Sequence, residues 1–193
     1  LAKKFKLPVA EKKESQEICF IPGKNHNDFL KRHLKLKPGL IKITPLIKGA
    51  RPRPQRFACE AGGGIIRSHQ GLPLDTIGQR KGIEIGGTGP YYAAKIDYKK
   101  NILYVVSEHN NKILFKDKLV AKNVNWLAGA AKMPLKCQAV IRYRHKPIKC
   151  LVTKNKNNYQ VKFNQPQRAI TPGQSVVFYK QNEILGGGII CQN

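Results

Sequence analysis

The sequence predicts a mainly β protein whose second half is an antiparallel barrel or sandwich. Three observations carry this reading. Short apolar or alternating segments recur about every 8–12 residues after residue 90, the spacing of a strand-and-turn architecture. Polar turn clusters such as Asp97-Tyr98-Lys99-Lys100-Asn101 separate them. No run approaches the roughly 18–20 apolar residues of a membrane-spanning helix, so a helical membrane protein is excluded.

The elements follow in order. Ile18-Cys19-Phe20-Ile21 is a short apolar segment closed by Pro22-Gly23, which reads as a strand or strand end and a turn. Residues 26–36 read as a helix: Asn25 or Asn27 can cap it, Phe29, Leu30 and Leu34 share a face, and Pro38-Gly39 stops it. Residues 48–64 hold Arg51, Pro52, Arg53, Pro54 and Arg56 and then three glycines, the composition of a flexible basic loop or insertion. Glycines are dense from Gly71 to Gly87, predicting a tightly turning loop that presents Arg80 and Lys81. Residues 91–96 and 102–106 flank a turn and predict a hairpin. Residues 138–144, 149–152, 159–163, 175–179 and 183–190 are the later strand candidates.

At 193 residues and 21.7 kDa the chain has room for one domain or two small ones. No signal-peptide pattern opens it. It starts at Leu1 and its single methionine is Met133, so it is expected to be the back part of something longer.

Lysine and arginine number 36 against 11 acidic residues, a formal net charge of +25. Solubility needs far less. Such a charge predicts attraction to a polyanion with steep salt dependence. Part of the lysine excess sits among asparagines at residues 154–158 and fits compositional drift. The arginine clusters fit it less well.

The five cysteines are Cys19, Cys59, Cys137, Cys150 and Cys191. Their odd number and the lack of any CxxC argue against a zinc site and a secreted disulfide scaffold, and for a reducing compartment. The five histidines show no ligand spacing, so no metal site is expected. There is no phosphate-binding P-loop and no nucleophile elbow. Cys19 stays open on first principles. Its apolar flanks fit a buried thiol, whereas a reactive one needs nearby cations and access. On a strand, Arg142 and Arg144 would share one face and could grip successive phosphates.

Several segments, taken together and in order, resemble the tRNA-specific 2-thiouridylases (the MnmA/TrmU family). They are Glu14-Ser15-Gln16-Glu17-Ile18-Cys19-Phe20-Ile21, Thr76-Ile77-Gly78-Gln79-Arg80-Lys81-Gly82, Arg142-Tyr143-Arg144, Pro166-Gln167-Arg168-Ala169, Thr171-Pro172-Gly173-Gln174 with Val177-Phe178-Tyr179, and Leu185-Gly186-Gly187-Gly188. The resemblance implies a small central α+β or β linker domain followed by a C-terminal antiparallel β-barrel. It divides the chain into a tail of an N-terminal ATP-pyrophosphatase domain (1–22), a central domain (23–110) and a tRNA-binding barrel (111–193).

The resemblance further implies thiolation at C2 of the wobble uridine of tRNAs for Lys, Glu and Gln, after ATP-dependent adenylation by the N-terminal domain. Cys19 matches the persulfide-carrying cysteine, and a second cysteine helps release the sulfur. Arg142, Tyr143 and Gln174 match tRNA-contacting positions. A sulfur-relay donor protein, a disulfide bond and a cytoplasmic location come with the family. ATP with magnesium is expected for the full-length enzyme only, with no cofactor on this chain, because the Ser-Gly-Gly-x-Asp-Ser loop and the first catalytic cysteine are absent from it. The isolated chain is accordingly expected to be inactive. Glu14 stands where the family usually has Asp, and Asp75 where it has Tyr. A non-catalytic RNA-binding module or gene remnant of the same family is the alternative reading, and a generic basic barrel of the translation machinery a third.

Overall fold

The structure is a computed structural model that describes residues 3–8, 10–11, 21, 26–44, 65–83, 90–107, 109, 111–129, 131–143 and 145–191. The chain forms two compact units, Leu1–Leu36 and Lys37–Asn193. Cys19, the strand expected around it, and the Pro/Arg-rich stretch at 48–61 with Cys59 lie outside the described residues, as does Arg144.

In the first unit α1 spans His26–His33. It ends sooner than Pro38 alone would require. Lys31, Arg32 and His33 crowd its last turn, where cations favour the carbonyl end. Asn27 falls inside the helix rather than at its cap.

The second unit opens with a four-stranded sheet of β1 (Gly39–Ile43), β2 (Ile65–His69), β3 (Tyr92–Asp97) and β4 (Ile102–Val106), in the order β2-β1-β4-β3. β1 pairs parallel with β4, and the other pairs are antiparallel. β4 reads Ile-Leu-Tyr-Val-Val because both faces of the sheet are covered. Ile41, Leu72, Ile83, Tyr91, Ala93, Leu103 and Val105 pack on one face. Tyr92, Ala94, Val106 and Leu114 pack on the other. The predicted hairpin joins β3 to β4: Lys100 N donates to Asp97 Oδ1 at 3.0 Å, and Asn101 takes a positive φ of 52°.

The remaining strands are β5 (Phe115–Trp126), β6 (Leu135–Val140), β7 (Ile148–Asn155), β8 (Asn158–Arg168), β9 (Ser175–Lys180) and β10 (Glu183–Cys191). They close into a barrel in the order β10-β5-β8-β7-β6-β9, with every pair antiparallel. The mainly β class and the C-terminal barrel are therefore as expected. Alternation puts Leu119, Ala121, Ala139, Val152, Val161, Phe163, Val176, Phe178 and Ile190 inside. Trp126 stacks on Phe178 with ring centroids 5.2 Å apart.

The Gly186–Gly188 run has a packing cause. β10 is bulged there, and a Cβ on Gly186 would collide with the Asn125 carbonyl of β5. Only glycine lets the two backbones approach so closely.

No disulfide forms among the described residues: Cys137, Cys150 and Cys191 are free thiols. Among those residues no helix is long and apolar enough to cross a membrane.

Candidate nucleic-acid interface

One end of the barrel meets the loop at residues 71–83, and four of the six motifs converge there. The loop starts with a 3-10 turn, Leu72–Leu74, whose Leu72 is buried under the sheet. Gln79 then organises the turn. Its Oε1 accepts from Thr76 N at 3.1 Å, and its Nε2 donates to Lys81 O at 2.8 Å and Leu74 O at 3.4 Å. Gly78 N donates to Ala93 O at 2.7 Å and Ala93 N to Gln79 O at 2.9 Å, so the loop docks along β3 as a short strand would. Arg80 and Lys81 are exposed, as the glycine-rich pattern predicts.

Arg142 was expected on a strand. β6 instead ends at Val140, and Arg142 lies in the bend beyond it, where His145 N donates to its carbonyl at 3.2 Å. Its guanidinium crosses from the barrel to the loop. Nη2 donates to Ile77 O at 2.7 Å, with longer contacts to Ala169 O at 3.4 Å and Thr171 Oγ1 at 3.5 Å. A single cationic side chain thereby ties the Thr-Ile-Gly-Gln motif to the barrel.

Arg168 is the residue that sequence reasoning quoted only as part of a motif. Its Nε donates to His109 O at 3.1 Å, and its guanidinium lies 5.4 Å from the centre of the Tyr92 ring. Arg142 and Arg168 flank Gly78: a Cβ built on that glycine would lie 3.8 Å from Arg142 Nη2 and 3.2 Å from Arg168 Nη1. Burial, and then the charge of Arg168, pulls the Arg142 pKa below its ordinary value. Arg142 Nε and Arg168 Nη2 are buried donors without an acceptor among the described residues. Neither arginine has a carboxylate partner there. The pair therefore leaves a concentrated positive potential at this end of the barrel.

Tyr143, next in the chain, is 78% exposed, which suits a ring offered to a partner. Gln174 sits on the same barrel end. Its N donates to Thr171 O at 3.3 Å, and its carbonyl accepts from Ile190 N at 2.8 Å, extending the β9–β10 pairing. Its Oε1 is buried without a partner among the described residues. The three expected tRNA-contacting positions thus lie on two neighbouring turns, linked through Thr171. Among the described residues no three His, Cys, Asp or Glu side chains gather in a metal-binding group.

Asp75 precedes the motif and is partly buried. Burial raises its carboxyl pKa, and the nearby His69 offsets part of the rise. A carboxyl whose folded pKa is raised stabilises the fold most below its unfolded pKa. Stability then falls as pH rises through the folded value. Asp75→Asn is expected to flatten that fall. Its thermal midpoint should gain on the parent as pH rises above the ordinary carboxyl range of about 4, and a pH-independent offset would contradict this.

Two family models match the chain. The tRNA methyl transferase PRC-barrel domain matches residues 27–107, and the aminomethyltransferase beta-barrel domain matches residues 116–190. The chain is 38% identical over 196 residues to the tRNA-specific 2-thiouridylase MnmA of Pseudomonas fluorescens, covering 98% of this chain and 48% of that protein. For the enzyme of the same name from Francisella philomiragia the figures are 41% over 197 residues, 98% and 50%. For that of Protochlamydia amoebophila they are 36% over 194 residues, 100% and 47%. This chain belongs to the tRNA-specific 2-thiouridylase family. It spans about half the length of the curated relatives it matches. The segments at residues 76–82, 142–143, 166–169 and 171–174, which carry the resemblance in the sequence, are the ones that build the barrel end.

Proposed function

We propose that this chain holds tRNA at the barrel end and carries, on Cys19, the sulfur placed on C2 of the wobble uridine. An ATP-pyrophosphatase domain adenylates the C2 oxygen, with ATP and magnesium belonging to that domain. A sulfur-relay protein charges Cys19 as a persulfide, and the terminal sulfur replaces the activated oxygen as a second cysteine helps release it. The substrates are tRNAs of the Lys, Glu and Gln type, and the setting is cytoplasmic. The observation that supports the reading most is the family match along nearly the whole chain, joined to a charge of +25. At the barrel end, Tyr143 serves as a stacking ring, while Arg142 and Arg168, without a carboxylate partner among the described residues, supply a positive field for phosphates.

Filter binding of tRNA at several salt concentrations tests the site. Tyr143→Ala should weaken binding by about 1–3 kcal/mol and shift the thermal midpoint less than Arg142→Ala does, because the ring is 78% exposed. Arg142→Ala should weaken binding by about 1–2 kcal/mol and make the salt dependence shallower. It should also lower the thermal midpoint, since Ile77 O loses its donor. An unchanged salt slope would restrict Arg142 to holding the loop. Binding without thiolation, after the chain is joined to an active ATP-pyrophosphatase domain, would leave a tRNA-binding module.

A further inference from the structure

Cys137 on β6 and Cys150 on β7 stand directly opposite each other in the antiparallel register. Their sulfurs lie 3.7 Å apart, both are reduced, and they are 9% and 4% exposed. Neither has a part in the sulfur transfer proposed above. Partners across adjacent antiparallel strands have Cα atoms about 4.5–5.5 Å apart, inside the roughly 4.4–6.8 Å that a disulfide spans. The sulfurs need only close from van der Waals contact to a bond of about 2.05 Å. The twelve residues between them, 138–149, include Arg142 and Tyr143.

We propose that Cys137 and Cys150 form a peroxide-modification site that closes into a cross-strand disulfide at the base of the hairpin carrying Arg142 and Tyr143. Cys137 reacts first because it is the more accessible of the two. The Cys150 thiol, donating a hydrogen bond, also favours the Cys137 thiolate and lowers its pKa, while that of Cys150 is pushed up. The Cys137 thiolate attacks one peroxide oxygen, the O–O bond breaks, and hydroxide leaves a sulfenic acid on Cys137. The Cys150 sulfur then attacks the sulfenic sulfur. The S–O bond breaks, and the departing oxygen takes up the Cys150 proton and leaves as water. The two sulfurs lose two electrons in all, and the peroxide gains them. A thiol reductant restores the pair.

The test uses the 193-residue chain, folded, with hydrogen peroxide in equimolar amount. It is then unfolded in an alkylating agent, digested and mapped by mass. The expected result is a peptide joining Cys137 to Cys150 as the dominant cross-link, with loss of both alkylatable thiols and reversal by dithiothreitol. Chain oxidised after unfolding should give mixed pairings instead. Three results would overturn the proposal: both thiols still fully alkylated, separate sulfinic acids at the two positions, or preferred cross-links to Cys19, Cys59 or Cys191. The experiment needs no tRNA and no ATP domain, so its outcome is independent of the thiouridylase reading.

Discussion

On the proposed reading, Cys19→Ser in the chain joined to an active ATP-pyrophosphatase domain is expected to lower tRNA thiolation by a factor of about 10³ or more, the scale on which losing a covalent nucleophile acts. A serine oxygen cannot carry the terminal sulfur of a persulfide, whereas the change in volume is small. tRNA affinity should therefore stay within about twofold of the parent, because the proposed binding residues lie elsewhere in the chain. Retardation of the thiolated tRNA on mercury-containing gels measures the first quantity, and filter binding the second. A normal thiolation rate would remove Cys19 from the reaction. Loss of binding together with thiolation would make it a structural residue.

Gly78→Ala should be the most damaging of the small substitutions at the barrel end. Gly78 has φ +81°, a conformation that a Cβ penalises by about 1 kcal/mol. Its Cβ would also lie 2.5 Å from the Ala169 Cβ, in a contact already packed by Arg142 and Arg168. Overpacking of this kind adds about 1–3 kcal/mol, so the total is about 2–4 kcal/mol. The thermal midpoint should fall by roughly 5–15 °C. Gly129 provides the control. It has a similar φ of +83°, but a Cβ there meets nothing within 4 Å among the described residues. Gly129→Ala should show the backbone cost alone. Equal effects at the two positions would mean that the loop does not press on the barrel.

The strands marked by short apolar runs between turns were legible. The segments expected at 102–106, 175–179 and 183–190 correspond to Ile102–Val106, Ser175–Lys180 and Glu183–Cys191. β5 was not. Its twelve residues carry Lys116, Asp117, Lys118 and Lys122, and only Leu119 and Ala121 are fully buried, so its apolar signal is thin. Barrel closure, not side-chain pattern, makes it a strand. β1 and β2 were hidden for a similar reason: each offers one fully buried residue, Ile41 and His69.

At the site, the motifs named the right turns, but local spacing could not say where Arg142 points. That depends on where β6 stops, and the stop at Val140 exchanges a strand face for a bend. Arg168 was visible only as a letter in a motif, because its partners Tyr92 and His109 are 59 or more positions away. The signal that could have found it is the absence of nearby acidic residues around both arginines.

The barrel's first strand, β5, is hydrogen-bonded to its last, β10. Ribosomal synthesis delivers β5 well before β10, with more than fifty residues between them. Until residues 183–191 emerge, β5 through β9 can form only a curled sheet with two bare edges, open to proteases and to strand exchange with other nascent chains. The final nine-residue strand acts as a latch, and a message truncated ahead of it would yield material for quality control in place of a smaller working barrel.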